Sequence, residues 1–307
     1  MEKNYLIMAT SKDLPLATAI ADKLDLPVAG IDLKKINESE TVVDIKNYVS
    51  NKIVFLIFNL NTPINDSLMN LFFTCDILKK QGVQKIHLFL PYFPYTKIPN
   101  EMVNSIDLNL IIRFIEVSGI DSIYTFDMFN PQITSAINIP IYNISMKRLF
   151  SKILEEKYFT NKNLITTTID FEFQYRARDI AKEINSKFVT VNKYFKDNQE
   201  NYEIESNIND KDVLVIGNLI VSAQILINFA NYLTTKGARS VSILATHGVF
   251  SEGSSTIIEN SVIKDIYVCT AQKQKLSSKI KVVSYINVIK EIIERIIEEK
   301  NIKSFIN

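Results

Sequence analysis

Short apolar runs alternate with amphipathic stretches along the whole chain, and that alternation leaves few folds open. Tyr5–Ala9, Ile53–Leu60, Ile86–Leu90, Ser122–Phe126, Leu164–Thr168, Val213–Ile216, Ser240–Ala245 and Ile266–Cys269 are strand-length runs rich in Ile, Val and Phe. Between them Leu14–Leu24, Asn65–Gln81, Val103–Ser118, Arg176–Ser186 and Ser222–Lys236 carry apolar residues at helical spacing. Strands that are apolar on both sides need cover on both faces, so the pattern predicts βαβ units and mostly parallel sheets flanked by helices. Two features repeat. Gly82-Val83 precedes the run ending at Leu90, and Gly237-Ala238 precedes the run ending at Ala245, each directly after a helix. Glycine there fits a left-handed helix C-cap. The repeat predicts two similar α/β domains, 1–146 and 147–307, with the boundary near Ser145–Leu149. The stretch Ile286–Ile297 is expected to be a packing helix with Glu and Lys outward.

The bulk composition narrows the function. A net charge of +1, spread without blocks, makes no electrostatic case for nucleic acid or a membrane surface as partner. The longest apolar runs are far short of a bilayer span. The N-terminal MEKNYLIMATSKD lacks a charged-then-apolar leader layout. Two cysteines, Cys75 and Cys269, are too few for a disulfide framework or a zinc site, so a reducing cytoplasm is expected. Glycine is scarce: seven residues in 307, about a third of the usual share of roughly 7%. Loops that wrap phosphate use glycine for close backbone approach, so few such loops are expected.

The segment Val213–Gln224, VLVIGNLIVSAQ, reads as a strand to Ile216, a Gly-Asn turn, and a helix turning Ile225, Phe229 and Leu233 inward. Such strand-to-helix turns are where α/β domains hold phosphate on backbone N–H groups. The segment offers one hydroxyl (Ser222), two side-chain amides (Asn218 and Gln224) and no cation.

Four ordered segments resemble one family. PINDSLMNLFFTCDILKKQGVQKIHLFLPYFPY (Pro63–Tyr95) and GIDSIYTFD (Gly119–Asp127) lie in the first half. YRARDIA (Tyr175–Ala181) and ATHGVFS…NSVIKDIYVC (Ala245–Cys269) lie in the second. Together they resemble the ribose-phosphate pyrophosphokinases (PRPP synthetases), over nearly the whole chain. The resemblance implies two phosphoribosyltransferase-like domains, assembly as dimers or hexamers, and transfer of diphosphate from ATP to ribose 5-phosphate with Mg2+.

Carried over position by position, the family's site residues are mostly changed. The adenine-side Phe-Ser-Asp-Gly-Glu falls on Ile36-Asn37-Glu38-Ser39-Glu40, so Asn37, Glu38 and Glu40 are the ATP-side remnants. The ATP-contacting Arg falls on Lys97, which keeps charge without the guanidinium fork. The metal-contacting His falls on Phe129, while Asp127 is retained as a candidate metal ligand, as is Asp170 in the second half. The family's Gly-Gly becomes Glu172-Phe173. Lys193 stands in the place of the catalytic lysine, but its arginine partner is replaced. In the ribose-phosphate loop the two acidic positions read Ile216 and Gly217, and the Thr-Gly-Gly-Thr cradle reads Val221-Ser222-Ala223-Gln224, leaving Ser222 and Gln224 as remnants. The Arg of the family's regulatory phosphate site falls on Val49.

The resulting expectation is a catalytically silent or regulatory homologue. It would form a homo-oligomer, or a hetero-oligomer with an active relative, and bind ATP and Mg2+ weakly if at all. The alternatives are an active ribose-phosphate diphosphokinase, or a binder of another ligand in remodelled clefts. His87 is expected to be a satisfied structural histidine and His247 to organise a turn. Tyr92, Phe93 and Tyr95 are expected at a subunit contact, and both cysteines in the core.

Overall fold

The computed structural model describes residues 4–38, 40–96, 108–129, 138–158, 161, 163–170, 173–196, 199–271 and 276–306. Two compact units emerge, one from Met1–Ser145 with Tyr285–Asn307, the other from Met146–Ser284.

The first unit is built on a seven-stranded sheet. Its strands are β1 (Tyr5–Thr10), β2 (Val28–Lys35), β3 (Thr41–Asp44), β4 (Ile53–Ile57), β5 (Lys85–Phe89), β6 (Ser122–Phe126) and β7 (Ile141–Ile144). They lie in the order β3-β2-β1-β4-β5-β6-β7, all parallel except for β3, which runs antiparallel to β2. The helices are α1 (Leu14–Leu24), α2 (Ile64–Lys80) and α3 (Leu108–Val117). Both sides of the central strands are covered, which is why Val54, Phe55, Leu56 and Ile57 are all fully buried in sequence. One face carries an aromatic row, with Phe89 stacked on Tyr124 at 4.7 Å and Tyr124 on Tyr142 at 4.9 Å.

The second unit holds α4 (Lys147–Tyr158), β8 (Leu164–Thr167), α5 (Gln174–Glu183), β9 (Lys187–Phe188) and a hairpin of β10 (Val191–Lys196) and β11 (Gln199–Ile204). It continues through β12 (Asp212–Ile220), α6 (Ala223–Thr235), β13 (Ser240–Gly248), α7 (Ser254–Glu259), β14 (Ile263–Ala271) and β15 (Ile280–Val282). Six of these strands form a parallel sheet in the order β15-β14-β13-β12-β8-β9.

The repeated glycines cap their helices in the same way. Gly82 has φ +83° and Gly237 φ +90°. The N–H of Gly82 reaches Lys79 O at 3.0 Å and that of Val83 reaches Leu78 O at 3.1 Å. In the second unit Gly237 reaches Thr234 O at 2.9 Å and Ala238 reaches Leu233 O at 3.0 Å. Each glycine carbonyl then accepts from the turn before the neighbouring strand, Asn51 N–H at 2.8 Å and Asp210 N–H at 2.9 Å. The repeated glycine motif is therefore the same in both units, bond for bond.

The expected second domain, 147–307, differs from the observed unit in its last part. Helix α8 (Ile286–Ile297) and the residues around it return to the first unit. Its apolar side, Ile289, Ile292 and Ile293, is fully buried. The Tyr285 ring meets Phe126 edge-on at 5.1 Å, Ser145 N–H donates to Phe305 O at 2.6 Å, and Ile306 bridges to Ile144 at the edge of β7. An apolar stripe that wide has to be covered, and the first unit supplies the cover.

Candidate functional site

Ligands of open parallel sheets bind where the strand order reverses, beyond the C-terminal ends of the strands. In the first unit that point lies between β1 and β4, and the chain's own side chains occupy it. Asp13 accepts from the backbone N–H and the Nδ2 of Asn59, both at 2.9 Å. The Tyr285 hydroxyl donates to Asn59 Oδ1 at 3.2 Å. Burial raises the Asp13 carboxyl above its ordinary range despite these bonds.

In the second unit the reversal lies between β8 and β12, next to Thr168–Asp170 and Val221-Ser222. Here the structure corrects the reading of Val213–Gln224. Gly217 and Asn218 do not form a turn: β12 runs on through Ile220, with Gly217 beside Ala245, Leu219 beside His247 and Ile220 beside Gly248 on β13. A Gly-Asn pair favours a turn locally, but pairing with a long neighbouring strand keeps it extended. The connection to α6 is only Val221-Ser222. The carbonyls there already accept bonds, Ile220 O from Val249 N–H at 2.8 Å and Val221 O from Ser251 N–H at 2.9 Å. Ser222 is the N-cap residue of α6, without a side-chain capping bond. Gln224 Nε2 donates to Asn228 Oδ1 at 2.8 Å, along the helix. Ile225, expected to face inward, is 41% exposed, as is Val221 at 47%; Ala223, Ile227, Phe229, Ala230 and Leu233 form the buried side of α6 instead.

Asp170 follows β8 at this same edge, and its N–H donates to Thr168 Oγ1 at 3.2 Å. Its carbonyl accepts from Phe173 N–H at 3.0 Å. Lys193 lies on β10, its ammonium 2.5 Å from Glu200 Oε1 on β11. Asp170, Ser222 and Gln224 thus share one sheet edge, while Lys193 is held on the hairpin. Glu200 and Tyr202 join Lys193 only once β10 and β11 pair. The signal was there in VNKYFK and QENYEI, two alternating runs flanking Asp197-Asn198.

The remaining candidates belong to the first unit. Asn37, Glu38 and Glu40 form the exposed turn between β2 and β3, where Glu40 N–H donates to Asn37 Oδ1 at 2.7 Å and Asn37 Nδ2 to the Glu40 carboxylate. The Asn37 and Glu40 side chains are engaged in holding the turn. Asp127 follows β6 with φ +43° and is 1% exposed, with half-buried Phe129 two residues on. Lys97 and Glu172 lie outside the described residues. Among the described residues, no three His, Cys, Asp or Glu side chains gather in a way that could hold a metal ion.

Several structural expectations are met. His87 Nδ1 lies 2.7 Å from Ser122 Oγ, and both cysteines are buried. His247 sits within β13 rather than in a turn, its Nδ1 2.9 Å from Thr270 Oγ1. Phe93 is 2% exposed, so it packs in the first unit's own core instead of at a subunit contact. Val49, at the regulatory position, is also buried. Among the described residues, no helix is long and apolar enough to cross a membrane.

Comparison with known proteins gives one consistent answer. A family model described as the N-terminal domain of ribose phosphate pyrophosphokinase matches residues 5–119. A second, the phosphoribosyl synthetase-associated domain, matches residues 177–306. The ribose-phosphate pyrophosphokinase of Campylobacter jejuni is 28% identical, over 98% of this chain and 99% of its own. That of Helicobacter hepaticus is 29% identical over the same shares. The crystal structure of phosphoribosylpyrophosphate synthetase from Mycobacterium smegmatis superposes with a TM-score of 0.82 at 20% identity, covering 96% of this chain and 99% of that one. With both of its halves matched and full-length relatives in agreement, this chain belongs to the ribose-phosphate pyrophosphokinase family.

Proposed function

We propose that this chain is a ribose-phosphate pyrophosphokinase homologue with little or no diphosphokinase activity of its own, acting through its family fold. The observation that carries this reading is β12. It continues as paired strand through Ile220, where a phosphate loop would have to open. A ribose 5-phosphate group carries about two negative charges, which must gain donors or cations as they lose water. The segment after the strand offers the Ser222 hydroxyl and the N–H groups that begin α6, flanked by exposed Val221 and Ile225. The helix dipole alone attracts an anion weakly. Phosphoryl transfer also rests on cations placed around the developing charge, and Lys193 is paired with Glu200. Assembly into a homo-oligomer, or with an active relative, in the cytoplasm completes the proposal.

The active ribose-phosphate diphosphokinase is the second reading. The comparisons support it better than the first, because the full-length relatives are named as that enzyme. For that reading ATP and ribose 5-phosphate are the reactants and Mg2+ the cofactor, with Asp127, Asp170 and Lys193 the retained groups. One assay separates the two. Under the first, ribose 5-phosphate binds no more tightly than about millimolar in calorimetry, worth about 4 kcal/mol, and no PRPP forms with ATP and Mg2+. PRPP formation that disappears in Lys193→Ala establishes the second. Tight binding of another anion with no turnover would instead point to a remodelled cleft.

A further inference from the structure

The β10–β11 hairpin joins an ion pair to an aromatic anchor through one carboxylate. Lys193 stands opposite Tyr202 in the ladder, and Glu200 is its diagonal neighbour on the same face. The Lys193 ammonium touches Glu200 Oε1 at 2.5 Å, while the Tyr202 hydroxyl donates to Glu200 Oε2 at 2.9 Å. The Tyr202 ring lies 4.9 Å from Phe229 and 5.6 Å from Tyr232, both on α6. Phe229 is buried in the core of the unit. An unbroken series of contacts therefore runs from Lys193 through Glu200 and Tyr202 into α6, the helix that starts at the candidate phosphate loop. Burial pushes the Glu200 carboxyl up, but the bonds from Lys193 and Tyr202 outweigh it and leave it below the ordinary range. Burial and the neighbouring Glu200 raise the Tyr202 phenol. At neutral pH the carboxylate is thus charged and the phenol keeps its proton, as the contacts require.

We propose that Glu200 is a positioning residue for Lys193. It acts as an internal anion that holds the ammonium on the inner face of the hairpin, and Tyr202 fastens it to α6. Glu200 neutralises the ammonium that an anionic ligand would meet, so such a ligand competes with Glu200 for Lys193. The proposal rests on Lys193 being the cation that would meet a ligand in this unit, as under the proposed function. It makes the hairpin a latch rather than an open loop.

Pulse acetylation of the full chain, read lysine by lysine by mass spectrometry, tests the latch without reference to catalysis. In the native chain Lys193 should acetylate more slowly than Lys46, whose side chain is 70% exposed in its surface pair with Asp32. Glu200→Gln should raise the Lys193 rate about fivefold, Tyr202→Phe should raise it less, and Glu200→Asp should restore the slow rate. Lys46 should not change in any of them. Hydrogen exchange across 191–204 shows whether a variant has lost the hairpin. Should Glu200→Gln do so, Tyr202→Phe carries the test, because it keeps the ring against Phe229. Equal rates for Lys193 and Lys46 in the native chain, or no response to either folded variant, overturn the proposal. PRPP formation is assayed separately, so failure of the latch and failure of the functional reading remain distinct.

Discussion

Tyr285 donates its hydroxyl to Asn59 Oδ1 at 3.2 Å, joining residues 226 positions apart in the chain. The bond ties the start of α8 to the end of β4, and Asn59 passes the connection on to Asp13. Tyr285→Phe removes one hydrogen bond and keeps the ring against Phe126, so it should cost about 1 kcal/mol. Deleting 285–307 should cost far more, because it exposes the face that Ile289, Ile292 and Ile293 cover. Urea melts of both variants give the comparison. A truncated chain with the native midpoint would contradict the assignment of α8 to the first unit.

His87 should make stability depend on pH. Burial, with smaller help from Lys85 and Lys79 and opposed by Asp121, lowers its imidazole from the ordinary 6.5 to about 4. Between those values the unfolded chain takes up a proton that the folded chain refuses. The histidine's contribution is therefore full above about 6.5 and is lost as the pH falls toward 4, on the order of 3 kcal/mol in all. In denaturant melts over this range, His87→Gln should show a shallower slope than the native chain. Parallel slopes would rule the effect out.

Two glycines should respond differently to alanine. A Cβ on Gly237 would stand 2.5 Å from Asn209 Oδ1 at φ +90°, so Gly237→Ala should cost more than 1 kcal/mol. A Cβ on Gly217 would meet the Ala245 Cβ at 4.0 Å, an ordinary contact, at an extended backbone. Gly217→Ala should be neutral within about 0.5 kcal/mol. The melting temperatures of the pair decide whether β12 truly runs through this position, since a ligand-binding turn there would reject the methyl group.

Cys75 is fully buried and its thiol is pushed far up by that burial. Since the thiolate is the reactive form, it should resist thiol reagents in the native chain and react once the first unit opens. Cys269 on β14 should report the second unit in the same way. Labelling rates against denaturant would give each unit its own opening curve.

Where local pattern and tertiary demand agreed, the elements could be read from the residues alone. Leu14–Leu24, Ser122–Phe126 and Ile286–Ile297 occur with the expected limits, because each has one clear periodicity. Val28–Lys35 and Ile141–Ile144 were hidden: the first mixes polar residues into the run and the second is four residues long. At Gly217-Asn218 the local signal pointed the wrong way, and pairing with β13 decided the outcome. The candidate site could be read from the chain only in its residue types, such as Phe129 and Ser222. It was not legible in what it gained, because the bond between Lys193 and Glu200 depends on two strands coming together.

The passage of the chain out of the first unit and back has a consequence during synthesis. A ribosome makes the strands of the first unit early, then all of 146–284, and only afterward 285–307, whose helix α8 packs on α1. Domains commonly complete themselves in the order in which they are made. Here the later unit is contiguous and can close while the earlier one still lacks α8. Protease pulses on stalled nascent chains should therefore find 146–284 resistant first, with the older half waiting on residues not yet translated.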